Sequence, residues 1–215
     1  MLIVVLAQAH NVGESDQQFL AGAAGPQIGP FIYLGAKHMV TGYDHLLFLV
    51  GVIFFLYRLR DVVLYVSLFA VGHSITLLAG VLGNWQVNAY LIDAIIGLSV
   101  AYKAFDNIGG FRILFGIEPP QRLAVLVFGL FHGMGLATKL QELNLSPNGL
   151  VTNLVSFNVG VEIGQFLALG AILVAMNTWR HSASFLRRAY AANVVLMTAG
   201  FVLAGLQISS YLFAS

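Results

Sequence analysis

Residues 38–49, His38-Met39-Val40-Thr41-Gly42-Tyr43-Asp44-His45-Leu46-Leu47-Phe48-Leu49 (HMVTGYDHLLFL), place two histidines and a carboxylate at the head of an apolar run. On a helix, His38 and His45 are seven residues apart and share one face, about two turns from each other. Asp44 lies about 100° round from His45 and can lean toward the same point. Because ionisable groups are costly in hydrocarbon, they usually serve a function there. The stretch is compatible with two structures. Either its ionisable side chains form a buried functional site, or a helix begins here and Asp44 and His45 hydrogen-bond only to each other.

The composition indicates an integral membrane protein. Of the 215 residues, 59% are hydrophobic and 9% are charged, whereas soluble domains carry about 25% charged residues. The net charge of +1 gives no sign of a nucleic-acid partner. The chain has no cysteine, which excludes disulfides, thiolate metal sites, iron–sulfur clusters and a cysteine nucleophile.

The predicted fold is an all-α bundle of six transmembrane helices in the inner (cytoplasmic) membrane. Residues 1–30 are expected to form a leader and periplasmic lead-in, because Ala7-Gln8-Ala9 resembles a small-residue cleavage site. Residues 31–215 are expected to form the transmembrane domain. The six apolar runs long enough to span are 31–57, 62–83, 88–105, 122–140, 149–177 and 187–212.

Basic residues predict the orientation of this bundle. The first, third and fifth links and their flanks carry eight of them, and the opposite side has only Lys37 and Lys139. Because positive residues concentrate on the cytoplasmic side, both termini are expected to face the periplasm. The eight are Arg58, Arg60, Lys103, Arg112, Arg122, Arg180, Arg187 and Arg188.

Ionisable side chains on five predicted helices lie at a common depth. Counted from the cytoplasmic end of each helix at 1.5 Å per residue, they fall about 15–23 Å from the inner boundary. Unrelated polar accidents would not be expected to share one level, so the sequence predicts one shared polar site. Its members are Asp44, His45, His73, Asp93, His132 and Glu162.

Several members have an ordinary structural alternative. A hydrogen bond to the hydroxyl of Thr76 could satisfy His73 without any ligand. Gly129 and Gly133 flank His132 in a small-xxx-small pattern that serves helix packing in membranes.

The remaining carboxylates differ in their support. Asp93 could be neutral or paired with a neighbour, so we expect it to be auxiliary. Glu162 lies between Asn158 and Gln165 at i, i+4 and i+7, a polar stripe on an otherwise apolar helix. Such a stripe is expected to face protein or water and not lipid.

A divalent cation would suit this set of side chains. Imidazoles with carboxylates and no sulfur ligand favour Ni, Co, Zn, Fe or Mn. A cation would also neutralise carboxylates that are otherwise costly to bury. Haem held between His45 and His73 is the rival ligand, but it leaves the carboxylates unexplained.

Four segments resemble the HupE/UreJ family of bacterial membrane proteins over about residues 33–210. They are HMVTGYDHLLFL (38–49), LFAVGHSITL (68–77), FGLFHGMGLA (128–137) and FNVGVEIGQ (157–165). The resemblance implies a nickel or cobalt permease associated with hydrogenase or urease. It also implies that the metal ligands include His38, Asp44 and His45, with roles for His73, His132 and Glu162. The nickel-permease branch carries a second histidine and a glutamate after the HG pair, and this chain has neither, so nickel is not singled out.

The distribution of polar groups predicts that the site is reached from outside. His38 and Asn158 lie above the common layer, near the outer surface, and the helices below the layer are almost bare of polar groups. An open channel would require polar lining in both halves. Inward release of metal is therefore expected to need helix movement.

Two further functions stay open at this stage. A bound zinc ion could activate water for hydrolysis of a lipid-like substrate, with Asp44, Asp93 or Glu162 as general base and Ser74 orienting the substrate. The chain could instead be a structural subunit of a membrane complex, either as a homo-oligomer or with partner membrane subunits.

Overall fold

A computed structural model describes residues 22–142 and 146–213, and over these ranges the protein contains helices and turns but no strand. The all-helical prediction is confirmed. Most of the predicted leader, residues 1–21, lies outside the described residues. The helices are α1 (Ile28–Thr41), α2 (Tyr43–Ile53), α3 (Leu59–Leu82), α4 (Ala89–Asn107), α5 (Gly110–Phe115), α6 (Gln121–Glu142), α7 (Leu150–Arg180) and α8 (Phe185–Phe213).

Among the described residues, four helices, α3, α6, α7 and α8, are long and apolar enough to cross a membrane. Helix α4 has 19 residues but carries three charges, Asp93, Lys103 and Asp106. Helices α1 and α2, with 14 and 11 residues, are each too short to span alone. The membrane character of the protein therefore stands, while the count of six spans and the periplasmic termini remain predictions.

The first predicted span is divided at Gly42. This residue adopts an extended conformation (φ −72°, ψ 107°) that ends α1 and begins α2. A Cβ at this position would lie 2.8 Å from Nδ1 of His45 and 3.1 Å from the carbonyl oxygen of His38. The prediction of one continuous helix over residues 31–57 is therefore wrong at Gly42, because the break needs a residue without a side chain.

Glycines bring the longer helices together as three close pairs. Helix α1 packs on α7 where Gly160 meets the backbone of Ile32, and α3 packs on α6 where Gly133 meets the backbone of His73. In the third pair, a Cβ on Gly97 of α4 would lie 2.6 Å from the backbone nitrogen of Ala204 on α8. Small residues permit such close backbone approach between membrane helices.

The short helix α2 is fixed at its C-terminal end. The guanidinium of Arg180, at the end of α7, donates to the carbonyl of Ile53 and, at 2.9 Å, to that of Phe54. The amide of Asn107, at the end of α4, donates to the carbonyl of Gly51 at 2.8 Å. The first, third and fifth predicted links thus lie at one end of the bundle. The positive-inside pattern predicts that this end faces the cytoplasm.

Candidate metal centre

Three imidazoles from three other helices surround His45. The ring centroid of His45, on α2, lies 5.1 Å from that of His38 on α1 and 5.1 Å from that of His132 on α6. The ring of His73, on α3, lies 6.1 Å away. His45, His73 and His132 are each at most 1% exposed, whereas His38 is partly exposed. The fold thus brings together four histidines that the sequence placed on separate helical segments.

Hydrogen bonds orient two of these rings. Nδ1 of His45 lies 3.2 Å from Oδ1 of Asp44, a carboxylate that is only 2% exposed. Nδ1 of His132 lies 2.7 Å from the carbonyl oxygen of Phe128. Because a carboxylate or carbonyl oxygen accepts a hydrogen bond, each Nδ1 is the donor and each Nε2 carries the ring lone pair. Partners of this kind fix the tautomer of metal-binding histidines in proteins.

His73 is buried without a hydrogen bond to either ring nitrogen. The hydroxyl of Thr76 does not serve it, since that hydroxyl donates to the carbonyl of Leu130 at 2.6 Å. Thr76 therefore ties α3 to α6, and the ordinary alternative for His73 does not hold. Leaving a buried polar group unsatisfied costs about 1–3 kcal/mol. A cation among the imidazoles would remove that penalty.

The spacing of the rings suits a metal ion better than their orientation does. Imidazoles that share one tetrahedral ion at 2.0–2.1 Å have ring centroids about 5 Å apart, close to the distances around His45. In the described part of the chain, no three His, Cys, Asp or Glu side chains are arranged to hold a metal ion. Binding a metal here would therefore require the imidazoles to rotate.

Aromatic side chains cover one side of the cluster. The ring centroids of Phe48 and Phe69 lie 5.4 and 4.8 Å from that of His132, and 5.2 Å from each other. A cavity that touches His45 has a volume of about 10 Å³, which is no more than one water molecule needs. Sequence reasoning did not single out these phenylalanines, because an apolar residue in an apolar helix carries no signal of its position.

Asp93 forms an ion pair that the sequence analysis did not predict. Its Oδ2 accepts from Nζ of Lys139 at 2.8 Å, and the Asp93 side chain is 7% exposed. From the sequence, Lys139 serves only as a marker of membrane orientation. A signal was present, since Lys139 follows His132 by seven residues and so lies on the same face of α6.

The polar stripe of α7 is divided between two environments. Asn158 accepts a hydrogen bond from the hydroxyl of Ser74 at 3.3 Å, and the buried Gln165 donates to the carbonyl of Val66 at 3.2 Å. Both bonds join α7 to α3. Glu162 is exposed on the surface of α7, in a cleft of about 220 Å³ that Gln165 also lines. The structure therefore does not bring Glu162 to the imidazoles.

Comparison with known proteins gives one result. The family model described as HupE / UreJ protein matches residues 14–215, a range that includes every helix described above. No curated protein and no solved structure gives a significant match.

Proposed function

The chain belongs to the HupE/UreJ family, and we propose that it binds a divalent transition metal within the membrane. The binding serves uptake or delivery of this metal across the inner membrane. The family is associated with nickel and cobalt transport, which supports metal handling in general. The cargo is proposed to be Ni²⁺, Co²⁺ or Zn²⁺, since imidazole and carboxylate ligands suit these ions.

The observation that carries this proposal is the convergence of four imidazoles from α1, α2, α3 and α6 around His45. Two of the rings are oriented through Nδ1, by Asp44 and by the carbonyl of Phe128. This pattern is typical of histidines that bind metals. Buried imidazoles are costly in a membrane interior, and ionisable residues there usually serve a function.

We assign the side chains different roles in this proposal. His45, His73 and His132 form the inner set that holds the cation, Asp44 orients His45 through Nδ1, and His38 receives the cation from the periplasmic side. Asp93, which is paired with Lys139, is auxiliary. Glu162 is exposed on α7, so we propose that it acts outside the imidazole cluster.

Entry from the periplasm is proposed because the opposite side of the cluster is apolar. The rings of Phe48 and Phe69 lie beside His132 and offer a cation no ligand. Inward release would then require α2 to move relative to α3. The break at Gly42 gives α2 a point at which such movement can occur.

The spacing of the imidazoles favours a bare cation over larger ligands. Ring centroids 5.1 Å apart are close to the distance at which two imidazoles share one ion, whereas haem or a lipid-like substrate would need far more room. The purified protein is accordingly expected to show no Soret band.

Metal analysis of the purified protein tests the proposed function. Protein extracted in mild detergent and dialysed against Ni²⁺, Co²⁺ or Zn²⁺ is expected to retain about one ion per chain, the number one imidazole cluster would hold. Cells lacking the gene are expected to accumulate less of that metal than their parent. Equal accumulation of every first-row metal in the two strains would contradict the proposal.

A further inference from the structure

The partly buried Lys139 and the buried Asp93 form an ion pair beside the proposed metal centre. The distance from Nζ to Oδ2 is 2.8 Å, and the two side chains are 16% and 7% exposed. Removing two charges from water is expensive, so a buried pair contributes little net stability. The ion pair is therefore expected to have a role other than stabilising the fold.

The pair adjoins the imidazole cluster from the α4 and α6 side. Lys139 lies seven residues after His132, about two turns further along the same face of α6. Gly135, three residues after His132, would carry its Cβ 3.4 Å from Oδ1 of Asp93. The carboxylate of Asp93 therefore lies against α6, about one turn beyond His132.

The ammonium of Lys139 and an incoming cation compete for the same negative charge. A divalent ion among the imidazoles is repelled by a fixed ammonium nearby and attracted by the carboxylate that the ammonium neutralises. Both effects are relieved if Lys139 leaves Asp93 when the metal arrives. Lys139 has a flexible four-carbon stem that allows such a movement.

Resting on the proposed function, we infer that Lys139 is a resident counter-cation: it holds Asp93 while the centre is free of metal, and an incoming divalent cation displaces it. The centre then favours divalent ions, because a monovalent ion gains too little from Asp93 to replace a tethered ammonium. Lys139 is a positioning residue in this scheme and does not itself bind the metal.

Titration calorimetry with Co²⁺ and Ni²⁺ on the full chain in lipid nanodiscs tests this inference. The Lys139→Met variant is expected to bind at least about tenfold more tightly than the wild type, because one nearby positive charge is removed from a site of low dielectric. Lys139→Arg, which keeps the charge, is expected to stay close to the wild type. Equal or weaker binding by Lys139→Met would overturn the inference.

A second lysine paired with an aspartate provides the matched control. Lys103 pairs with Asp106 at 2.7 Å, and its side chain is 6% exposed. Asp106 lies thirteen residues beyond Asp93 on α4, a distance of about 20 Å along the helix. Lys103→Met is therefore expected to leave metal affinity unchanged, and a gain equal to that of Lys139→Met would also overturn the inference.

Amine labelling of the wild-type protein keeps the test independent of how the variants fold. Reductive methylation followed by mass spectrometry is expected to modify Lys139 several-fold more in saturating Co²⁺ than without metal, and Lys103 equally in both. Unchanged or reduced labelling of Lys139 in saturating Co²⁺ would overturn this inference and leave the proposed function standing. A wild-type protein that binds no divalent ion would overturn the proposed function as well.

Discussion

His45 and His132 face each other with their ring centroids 5.1 Å apart, one on the short helix α2 and the other on α6. Each donates through Nδ1 to a fixed acceptor, so each presents the lone pair of Nε2. Fixed tautomers at this spacing make the two rings the central pair of the proposed metal centre. Substitution of either histidine is expected to abolish metal binding without preventing the protein from folding.

His45→Ala and His132→Ala are each expected to reduce bound metal to background while the protein still inserts into the membrane. The reason is that either substitution removes a central ligand without disturbing the glycine contacts that pair the helices. Metal content is measured on purified protein by mass spectrometry, and insertion by membrane fractionation. Full metal content in His132→Ala would show that the ligand set is wrong.

The control for both variants is His181→Ala. His181 is exposed beyond the end of α7, where its Nδ1 donates to the carbonyl of Asn177. The contact described for His181 does not involve the imidazole cluster. The His181→Ala variant is therefore expected to keep the metal content of the wild type.

His38→Ala is expected to slow metal uptake more than it lowers the amount of metal bound at saturation. His38 is partly exposed at the end of α1, with its ring 5.1 Å from that of His45. A side chain at the entrance affects the rate of arrival, whereas three buried histidines remain to hold the ion. Initial uptake rates in cells and metal content of purified protein are compared. An equal loss of both would place His38 among the holding ligands.

Gly42→Ala is expected to weaken metal affinity by about 10- to 100-fold, the range typical for loss of a group that orients a metal ligand. The new methyl group would lie 2.8 Å from Nδ1 of His45 and 3.2 Å from Oδ1 of Asp44. Titration calorimetry measures the effect. Gly170→Ala is the control, because a Cβ there meets no atom within 4 Å. Identical affinities in the two variants would contradict this account of the break.

Arg180→Ala is expected to destabilise the protein by about 1.5–3 kcal/mol, the range for hydrogen bonds to charged groups. It removes the donor to the carbonyls of Ile53 and Phe54 at the end of α2. Thermal unfolding in detergent is expected to show a lower Tm, with a smaller change for Arg187→Ala on the exposed start of α8. Equal shifts in the two variants would mean that α2 is held by other contacts.

The positions of the long helices and the depth of the polar side chains could be predicted from the sequence. Helices such as α3 and α8 begin and end within about three residues of the predicted spans, because apolar runs and charged links mark them directly. Depth followed from the fixed rise per residue. His45, His73 and His132 could therefore be placed at one level before any packing was known.

Tertiary structure alone decided which side chains at that level meet. The direction a side chain takes depends on which helices pair, and the close pairs form at glycines such as Gly133 and Gly160 whose partners lie far away in the chain. For this reason the ion pair of Lys139 with Asp93, and the position of Glu162 outside the cluster, emerged only from the fold. Sequence fixes height along a membrane helix through its constant rise, whereas rotation about the helix axis is set by contacts between helices.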